Sequence, residues 1–457
     1  MKTRLEIRDS IHGFIHRRNR EQQIIDTPLF QRLRRIKQLA LASLVYPGAL
    51  HTRFEHSIGC MHIAGRVSHQ LQLPDDEQQL LRLTALVHDI GHGPFSHVSE
   101  EILKGVSGKK QAHELLTFRI IKASKLLAGP LSDNEREEIV GILEGTRGDS
   151  LSRGIISGPL DVDKQDYLLR DSYFCGVKYG VYDLDRLIET LRIHKDKHDR
   201  SLAVSEDGVH TLEQFVIARY HMTSQVYRHR VRLISDSMIV RGIELGISHD
   251  KITWLKELYA FEDNDAFLEN YLSWDDERLI KALLGDSVPQ GYAKEMFERL
   301  VNRNLFKQIC RLNFNDFDPV AKAALLSLPP ADAKRLERQI ESAVASVYTE
   351  FDENLVLARV LRQKSVASTE GSVLVICDDG TVPEFREKST LFRSIDSAIH
   401  DQFIDIYAPV AWKDDSDRAV RKERYQTEIF SLLNDLLKAK TGLFANADAI
   451  AEREGIK

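Results

Sequence analysis

The chain has 457 residues, with 63 basic and 69 acidic side chains and a formal net charge of −6. Apolar residues make up 42% and charged residues 29%, which is ordinary for a soluble globular protein and excludes a minimal scaffold. No apolar run reaches the roughly 18 residues of a membrane helix, and the charged N-terminus lacks the apolar stretch of a signal peptide.

Four scattered cysteines exclude a disulfide framework and a CxxC zinc site. We therefore expect a cytoplasmic protein with reduced thiols and without a membrane partner. Because the net charge is mildly acidic, we also expect no bulk binding of nucleic acid.

Helical periodicity dominates the chain. The first predicted helix begins at 26–28, where a capping carboxylate precedes a proline, and its apolar face runs over 29–39. A second helix is predicted from Asp75 to Asp89, and a third after the capping-box pair Ser132 and Glu135. Further helices are predicted at 183–194, 211–245, 276–284, 292–310 and 331–347.

Strand signals are rare. The clearest is 372–377, which is followed by a turn at 378–380 and a short return near Val382. This hairpin lies beyond Pro329-Pro330, the best linker candidate. We predict a mainly α fold, with a helical core over 1–325 and a smaller α+β region over 326–457.

Histidine is the informative residue type, because eight of the 17 histidines lie between residues 51 and 113. The dipeptide His-Asp occurs four times, but only His88-Asp89 ends an apolar helix and continues into the histidine-rich segment 91–97. A divalent metal needs imidazoles and carboxylates from several segments. His56 could supply another ligand, and the acidic stretch 161–166 a final carboxylate.

His56, His88-Asp89 and Asp163 in this order form the H…HD…D pattern of the HD-domain metal-dependent phosphohydrolases. The segments 25–34, 51–57, 88–97, 161–164 and 303–307 further resemble the deoxynucleoside triphosphate triphosphohydrolases. These segments extend over most of residues 5–310, whereas the C-terminal third matches only loosely. The resemblance implies an HD-domain helical core.

The implied reaction is attack of water on the α-phosphorus of a deoxynucleoside triphosphate, which releases a deoxynucleoside and inorganic triphosphate. The resemblance also implies a divalent metal (Mn, Mg, Fe, Zn or Ni) that is bound by His56, His88, Asp89 and Asp163. The positions implied to be catalytic are His97, His92, His113 and Glu100. His97 is the preferred proton donor to the leaving 5′ oxygen, because the pKa of histidine lies near working pH.

The resemblance assigns the substrate contacts as well. The phosphate contacts are Arg53, Lys164 and Arg219; the sugar contacts are Tyr167, Asp171 and Tyr227, of which Tyr227 crowds the 2′ carbon; Gln38 and Leu39 flank the base. A guanine nucleotide or a dNTP is implied as an allosteric activator. Its site would lie between subunits of a homo-oligomer (a dimer or tetramer) and comprise Asp26, Gln31, Arg34 and Arg303.

The pattern departs from the family in three places. Thr223 stands where a substrate-contacting histidine is expected, and Leu5 replaces a lysine of the activator site. Arg186 matches an activator-site arginine, but Asp207 is acidic where a basic pair is expected. We therefore expect that the guanine pocket persists and that a second nucleotide site is changed or lost.

Two other classes of function stay open from the sequence. An HD-domain nuclease or cyclic-nucleotide phosphodiesterase would keep the metal and change the substrate. A nucleotide sensor would bind without turnover. Tyr227, Asp171 and Lys164 together favour a mononucleotide triphosphate over a nucleic acid, and the complete set of metal ligands favours an enzyme over a sensor.

Overall fold

The computed structural model describes residues 6–108, 112–197, 199–361, 370–398 and 402–439. They form two compact units, one within Met1–Arg303 and Val366–Ser397 and the other within Asn304–Ser365 and Ala398–Lys457. The described residues are mainly helical with small sheets, which confirms the predicted fold class. Among them, no helix combines the length and apolar character needed to cross a membrane.

The first unit, called unit 1, contains most of the helices. Its elements are β1 (Glu6–Asp9), β2 (Gly13–His16), α1 (Asn19–Ile25), α2 (Pro28–Gln31), α3 (Arg53–Gln70), α4 (Asp75–Val87), α5 (His97–Ser107), α6 (Ala112–Ala123), α7 (Asp133–Glu144), α8 (Ser150–Ser157), α9 (Val162–Cys175), α10 (Leu184–Thr190), β3 (Leu191–Asp196), β4 (Asp199–Ser205), α11 (Val209–His221), α12 (Arg230–Ser248), α13 (Thr253–Tyr259), α14 (Asp265–Leu272), α15 (Asp276–Leu284), α16 (Tyr292–Val301), β7 (Leu374–Ile376), α19 (Phe385–Lys388) and α20 (Thr390–Ala398).

The second unit, called unit 2, is an α+β layer. Its elements are β5 (Lys307–Asn313), α17 (Pro319–Ser327), α18 (Pro330–Val347), β6 (Leu357–Leu361), β8 (Phe403–Ala408) and α21 (Asp415–Ala439). The strands pair antiparallel in the order β5-β8-β6, and α18 and α21 pack on this sheet through a shared apolar core.

Helix α3 is the centre of unit 1, where it packs against both α4 and α9. The helix begins after Thr52, whose amide donates a hydrogen bond to Glu55 at 2.8 Å in a capping box. Most of its residues are buried, including Phe54, Ile58 and Met61. Because α4 and α9 both pack on α3, the C-terminal end of α4 and the N-terminal end of α9 lie close to the first turns of α3.

Two small sheets complete unit 1. The antiparallel hairpin β1–β2 pairs Glu6 with His16 and Asp9 with Gly13. In the second sheet, β3 pairs antiparallel with β4, and β4 pairs parallel with β7. The predicted return near Val382 is present only as backbone hydrogen bonds, such as that from Val375 N to Pro383 O at 2.9 Å, and not as a strand.

The two units follow the chain differently from the predicted division at 325. Residues 304–325 pack with unit 2, because β5 pairs with β8 from the C-terminal part. The segment 370–397 returns to unit 1, where β7 extends the sheet of β4. Neither unit is therefore one continuous stretch of chain.

Candidate active site

Three helix ends bring the predicted metal ligands together. His56 lies in the second turn of α3, His88 and Asp89 follow the end of α4, and Asp163 is in the first turn of α9. The Nε2 atom of His56 lies 3.0 Å from Asp163 Oδ1 and 3.5 Å from Asp89 Oδ2. The Nε2 atom of His88 lies 3.4 Å from Asp89 Oδ1 and 4.0 Å from Asp163 Oδ1.

These donor atoms fit one divalent ion. The Nδ1 atom of His56 bonds to Asp166 at 2.9 Å and that of His88 bonds to Ala85 O at 2.7 Å, so that both Nε2 atoms keep a lone pair for a metal. The Nε2 atom of His88 is buried and has no hydrogen-bond partner among the described residues. Ligands at about 2.1 Å from one ion lie roughly 3 to 3.5 Å apart, which matches most of the observed separations.

Cys60 lies close to these residues but is a poor ligand. Its Sγ atom is 3.6 Å from both ring nitrogens of His56, which places the sulfur over the ring instead of beside Nε2. Burial raises the pKa of the Cys60 thiol far above its usual value, so the sulfur stays protonated. Asp89 therefore remains the predicted fourth ligand.

The electrostatics of the donor set favour a cation. Burial alone would raise the pKa of Asp163, but the hydrogen bond and charge of His56 and the charge of His88 lower it to about 2. Burial opposes ionisation of Asp89 too, yet Arg53, His88 and His92 hold its pKa well below the usual range. Both carboxylates are thus ionised at neutral pH and need a positive partner.

The pKa of His56 is shifted in the opposite direction from the pKa values of the two carboxylates. Burial by itself would lower its pKa, whereas Cys60 and the hydrogen bonds with Asp163 and Asp166 raise the pKa well above its usual value. Without a metal, a proton on His56 balances part of the carboxylate charge. Metal binding would displace this proton, as expected for a ligand that must be neutral.

A cavity of about 540 Å³ in unit 1 adjoins the metal ligands. It is within the range of sites for small ligands. Most of the residues that the sequence predicts for the site line this cavity: Gln38, Leu39, Arg53, His88, Asp89, His92, His97, Asp163, Lys164, Tyr167, Asp171 and Tyr227.

The two predicted phosphate contacts in the cavity are both bonded to carboxylates. Arg53 forms an ion pair with Asp89, and its Nε atom donates to Ser96 Oγ at 2.7 Å. Lys164 forms an ion pair with Asp161 and donates to Gly158 O at 2.9 Å. Each cation is thus held at the cavity wall by an acidic neighbour.

Arg219, the third predicted phosphate contact, has a different environment. It forms an ion pair with the fully buried Glu370 of the returning segment. Arg219 is not among the described residues that line the cavity. Its phosphate role stays a prediction that nothing in this arrangement supports directly.

His92 and His97 lie in different surroundings. Burial, reinforced by Arg53, lowers the pKa of His92 to about 3, so His92 is neutral at working pH. His97 has a half-exposed side chain, and its Nδ1 atom lies 2.8 Å from Glu100 Oε1. Its Nε2 atom lies 3.0 Å from Arg53 Nη2. His113 lies outside the residues whose side chains the structure describes.

The predicted sugar contacts are joined in a short chain. Tyr227 donates from its hydroxyl to Asp171 Oδ2 at 2.7 Å, and His51 Nε2 lies 2.7 Å from Asp171 Oδ1. The rings of Tyr167 and Tyr227 meet edge to face, with centroids 6.1 Å apart. Burial raises the pKa of Tyr227 well above its usual value, so its hydroxyl remains a donor.

The four predicted activator-site residues are only partly assembled. Gln31 Oε1 accepts from Arg34 Nε at 2.8 Å, and the Arg34 guanidinium lies 3.5 Å from the ring centre of Phe54. Arg303, which has a positive φ of 54°, donates to Leu44 O at 3.0 Å. Asp26 accepts from Gln22 at the end of α1.

Sequence reasoning missed two groups at this site. Arg232 lines the cavity with its guanidinium 5.3 Å from the ring centre of Tyr227, and the basic run at 228–232 was a signal for it. Asp166 lies behind His56 and binds His12 of the N-terminal hairpin at 2.7 Å. No spacing rule links residues that are 154 positions apart.

Family models match most of the chain: the model of the HD domain matches residues 53–171, and that of the HD-associated region matches residues 182–425. An uncharacterised protein of Methanocaldococcus jannaschii is 33% identical over 434 residues, which covers 94% of this chain and 83% of that protein. The human deoxynucleoside triphosphate triphosphohydrolase SAMHD1 is 30% identical over 341 residues, covering 66% of this chain and 54% of the human protein. This chain therefore spans about half the length of that relative.

Solved structures with a similar fold include the following two. A hypothetical protein from Aquifex aeolicus is 30% identical with a TM-score of 0.70, over 93% of this chain and 99% of that chain. A phosphohydrolase from Bacteroides thetaiotaomicron is 27% identical with a TM-score of 0.71, over 89% and 99% of the two chains. The HD match and the His and Asp cluster confirm a divalent metal as the cofactor class. This chain belongs to the family of HD-domain phosphohydrolases that carry the HD-associated region.

Proposed function

We propose that this chain hydrolyses deoxynucleoside triphosphates to a deoxynucleoside and inorganic triphosphate, by attack of water on the α-phosphorus. One observation carries the proposal. A single cavity of about 540 Å³ is lined by three of the four predicted metal ligands, three cationic side chains and the Asp171–Tyr227 pair. These are the groups that a mononucleotide requires for its phosphates and its sugar. The name of the human relative agrees with this substrate.

The phosphates would be bound at the metal end of the cavity. A bound divalent metal polarises the phosphorus and lowers the pKa of water. A triphosphate carries about four negative charges, and Arg53 can hold phosphate oxygens with two parallel donors. Lys164 adds a second cation once the substrate competes with Asp161 for its ammonium group.

The proton for the leaving 5′ oxygen would come from His97. Its Nδ1 atom lies 2.8 Å from Glu100 Oε1, and this carboxylate orients the imidazole. His92 does not compete for this role, because its lowered pKa keeps it neutral. His92 instead fits as a contact to phosphate or to Asp89, whose Oδ1 atom lies 3.2 Å from its Nε2.

The deoxyribose would pack against Tyr167 and Tyr227. Asp171 has two oxygens that already accept from His51 and Tyr227, and each oxygen retains a second lone pair for the 3′-hydroxyl. The ring of Tyr227 would fill the space that a 2′-hydroxyl needs. Gln38 and Leu39 line the same cavity and would flank the base.

We also propose that a guanine nucleotide or a dNTP activates a homo-oligomer through Asp26, Gln31, Arg34 and Arg303. In support, Gln31 and Arg34 lie together on the surface beside Phe54. Arg186 and Asp207 form an ion pair at 2.6 Å. The guanidinium of Arg186 is therefore bound to a carboxylate and not available to a phosphate group. This pairing agrees with the loss of a second nucleotide site.

The test is product identification from a mixture of all four dNTPs with GTP, in Mn²⁺, Mg²⁺ or Fe²⁺. We expect inorganic triphosphate and deoxynucleosides in equal amounts, and no degradation of labelled single-stranded DNA. His88→Ala should abolish the activity together with metal content, whereas His210→Ala, at an exposed histidine of α11, should change neither. Release of pyrophosphate, or cleavage of the DNA alone, would replace this proposal with another phosphohydrolase reaction.

A further inference from the structure

The N-terminal hairpin places a histidine behind the metal site. His12 lies in the turn between β1 and β2, and its side chain is 97% buried although the hairpin is at the start of the chain. Its Nε2 atom lies 2.7 Å from Asp166 Oδ1. The other oxygen of Asp166 bonds to Nδ1 of the metal ligand His56 at 2.9 Å. One carboxylate therefore connects the hairpin with the metal site.

Arg170 completes the bonding of this carboxylate. Its Nη2 atom donates to Asp166 Oδ1 at 2.9 Å, and its Nε atom donates to Oδ2 at 2.7 Å. Each oxygen of Asp166 thus accepts two hydrogen bonds, which is its full capacity. A fully bonded buried carboxylate has one orientation, and that orientation fixes where His56 Nδ1 can donate.

The same arginine holds the hairpin in place. Its Nη1 atom donates to Asp9 Oδ2 at 2.9 Å, and Asp9 Oδ1 accepts from the backbone amides of Ile11 and His12 at 2.8 and 2.9 Å. The turn that carries His12 is therefore shaped by an acidic side chain that is itself bound to α9. Arg170 and Asp166 are both fully buried.

Helix α3 leaves room for this group at Gly59. A β-carbon at this position would lie 1.9 Å from Asp166 Oδ1 and 2.6 Å from Arg170 Nη2. Any side chain at Gly59 would therefore displace the carboxylate from His56. Gly59 on α3 and the hairpin turn with His12 thus both fit around the Asp166 carboxylate and its four hydrogen bonds.

We propose that His12 is a positioning residue for the metal. It fixes Asp166, and Asp166 in turn holds His56 with its proton on Nδ1 and its Nε2 lone pair directed at the ion. Carboxylates that bond to a metal-binding histidine typically change metal affinity 10- to 100-fold when they are altered. The inference depends on the metal site alone and not on which nucleotide the protein hydrolyses.

A purely structural role for His12 makes a different prediction. If the hydrogen bond only holds the hairpin on unit 1, its loss would lower the melting temperature and leave the metal affinity of the folded protein unchanged. If His12 positions the ligand, the affinity falls even in protein that is fully folded. A donor that replaces the imidazole should restore the affinity.

The experiment is a Co²⁺ titration of the metal-free full chain, followed by the visible absorption of bound Co²⁺. We expect His12→Ala to weaken Co²⁺ binding about 10-fold and Asp166→Asn about 100-fold, because asparagine cannot accept on both sides. His12→Gln, whose amide can donate to Asp166, should bind within about threefold of the wild type. His16→Ala is the matched control, because His16 is on the same hairpin and is exposed.

Circular dichroism of each metal-free variant establishes that it is folded. If His12→Ala does not fold, His12→Asn carries the same test, because its amide is too short to reach Asp166. Wild-type affinity in folded His12→Ala or His12→Asn would overturn the proposal. Equal weakening in His16→Ala, or a wild-type chain that binds no Co²⁺, would overturn it as well.

Discussion

Tyr227 combines a hydrogen bond and a steric surface at one position. Its hydroxyl donates to Asp171 at 2.7 Å, while its ring lines the cavity beside Tyr167. Tyr227 is the last residue of a stretch of π-helix, Met222–Tyr227, which lies between α11 and α12. Such irregular turns are frequent at functional sites, because they redirect one side chain without ending the helix.

The two properties of Tyr227 can be separated by substitution. Tyr227→Ala should allow measurable hydrolysis of GTP or ATP while part of the dNTP activity is kept, because rejection of ribose is a collision with the ring. Tyr227→Phe keeps the ring and loses only the bond to Asp171, so it should still exclude ribonucleotides. Turnover of matched ribo- and deoxyribonucleotides measures both. Inert ribonucleotides in an active Tyr227→Ala variant would rule out this role.

His62 predicts how stability changes with pH. Burial, with the nearby charges of His12 and Arg66, lowers the pKa of His62 to about 4, below the value near 6.5 of an unfolded histidine. Between these values the unfolded chain binds a proton that the folded chain does not, so stability is lost as pH falls from about 6.5 to 4. We expect His62→Gln to remove of the order of 2 kcal/mol of this loss.

Urea unfolding of the metal-free protein at several pH values measures the effect of His62. Metal-free protein is needed because proton release on metal binding would add its own pH dependence. His69→Gln, at an exposed position of the same helix, is the control and should leave the pH dependence unchanged. Parallel curves for His62→Gln and the wild type would contradict the prediction.

Residue types and motif order were enough to predict the metal ligands, whose two imidazoles each lie within 4.0 Å of both carboxylates. They were not enough for groups that act through a neighbour. Asp166 lies within the same motif as Asp163, but its importance depends on Arg170 and on a hairpin about 150 residues earlier. The ion pair of Arg219 with Glu370 could not be predicted either, because a distant segment forms it, and the phosphate role of Arg219 stays a prediction.

The loop before α5 is held by contacts from distant helices. Phe95 and Ser96 have positive φ angles of 62° and 58°, which are unfavourable for residues with a β-carbon. The amide of Phe95 donates to Asp276 Oδ1 at 2.7 Å, and Arg32 donates to His92 O at 2.8 Å. These anchors keep a strained loop in the position from which Ser96 binds Arg53.

Removal of the Asp276 anchor should loosen this loop. Asp276→Ala leaves the buried amide of Phe95 and the partly buried amide of Lys37 without their acceptor, at a cost of about 1–3 kcal/mol for the buried one. We expect a lower melting temperature and at least a tenfold loss of turnover, with metal content unchanged. Asp286→Ala, at an exposed aspartate just after α15, is the matched control. Wild-type turnover in folded Asp276→Ala would contradict this expectation.

Helix periodicity predicted elements well where local signals and packing agree. Helix α4 and helix α15 lie where they were expected, and the capping box of Ser132 and Glu135 starts α7. The predicted helix over 29–39 ends early: α2 stops at Gln31, a 3₁₀ turn follows over Arg32–Arg35, and the chain is extended at Ile36. Apolar spacing alone could not predict this, because Arg32 is buried by its bonds to His92 and Trp274.

The short strands were missed for a similar reason. The predicted helix over 183–194 ends at Thr190 and gives way to β3, and that over 292–310 gives way to β5. The predicted helix over 211–245 is interrupted by the π-helical turn. These changes depend on partners such as β4 and β8, which lie outside any local window of sequence.

At the scale of the whole molecule, nucleotide-dependent assembly is the least local of the proposals. A ligand that binds only between subunits favours the oligomer by mass action. We expect a homo-oligomer whose activity on one dNTP rises when dGTP or GTP is added. Asp26→Ala and Arg34→Ala should reduce this rise and leave metal content unchanged. Light scattering and initial rates with and without GTP measure both effects.

A homo-oligomer that is not activated by nucleotide would behave differently in these assays. Rates that rise hyperbolically with each dNTP alone, that do not change with GTP, and that are insensitive to both substitutions would contradict activation. The Arg186–Asp207 ion pair further predicts a weaker dependence on nucleotide than two intact sites would give. We expect Asp207→Lys, which removes this ion pair, to strengthen the dependence of activity on nucleotide.

The return of residues 370–397 to unit 1 affects how the protein is made. During synthesis, β4 emerges from the ribosome long before β7, and the residues 304–361 of unit 2 are produced in between. Until β7 is made, the edge of β4 in the nascent unit 1 therefore has no partner strand. The ion pair of Arg219 with Glu370 likewise forms only after residue 370 has been made. A fragment cut at 303 or at 325 would keep this unfinished edge permanently. Heterologous production of a complete unit 1 consequently requires the chain through at least residue 397.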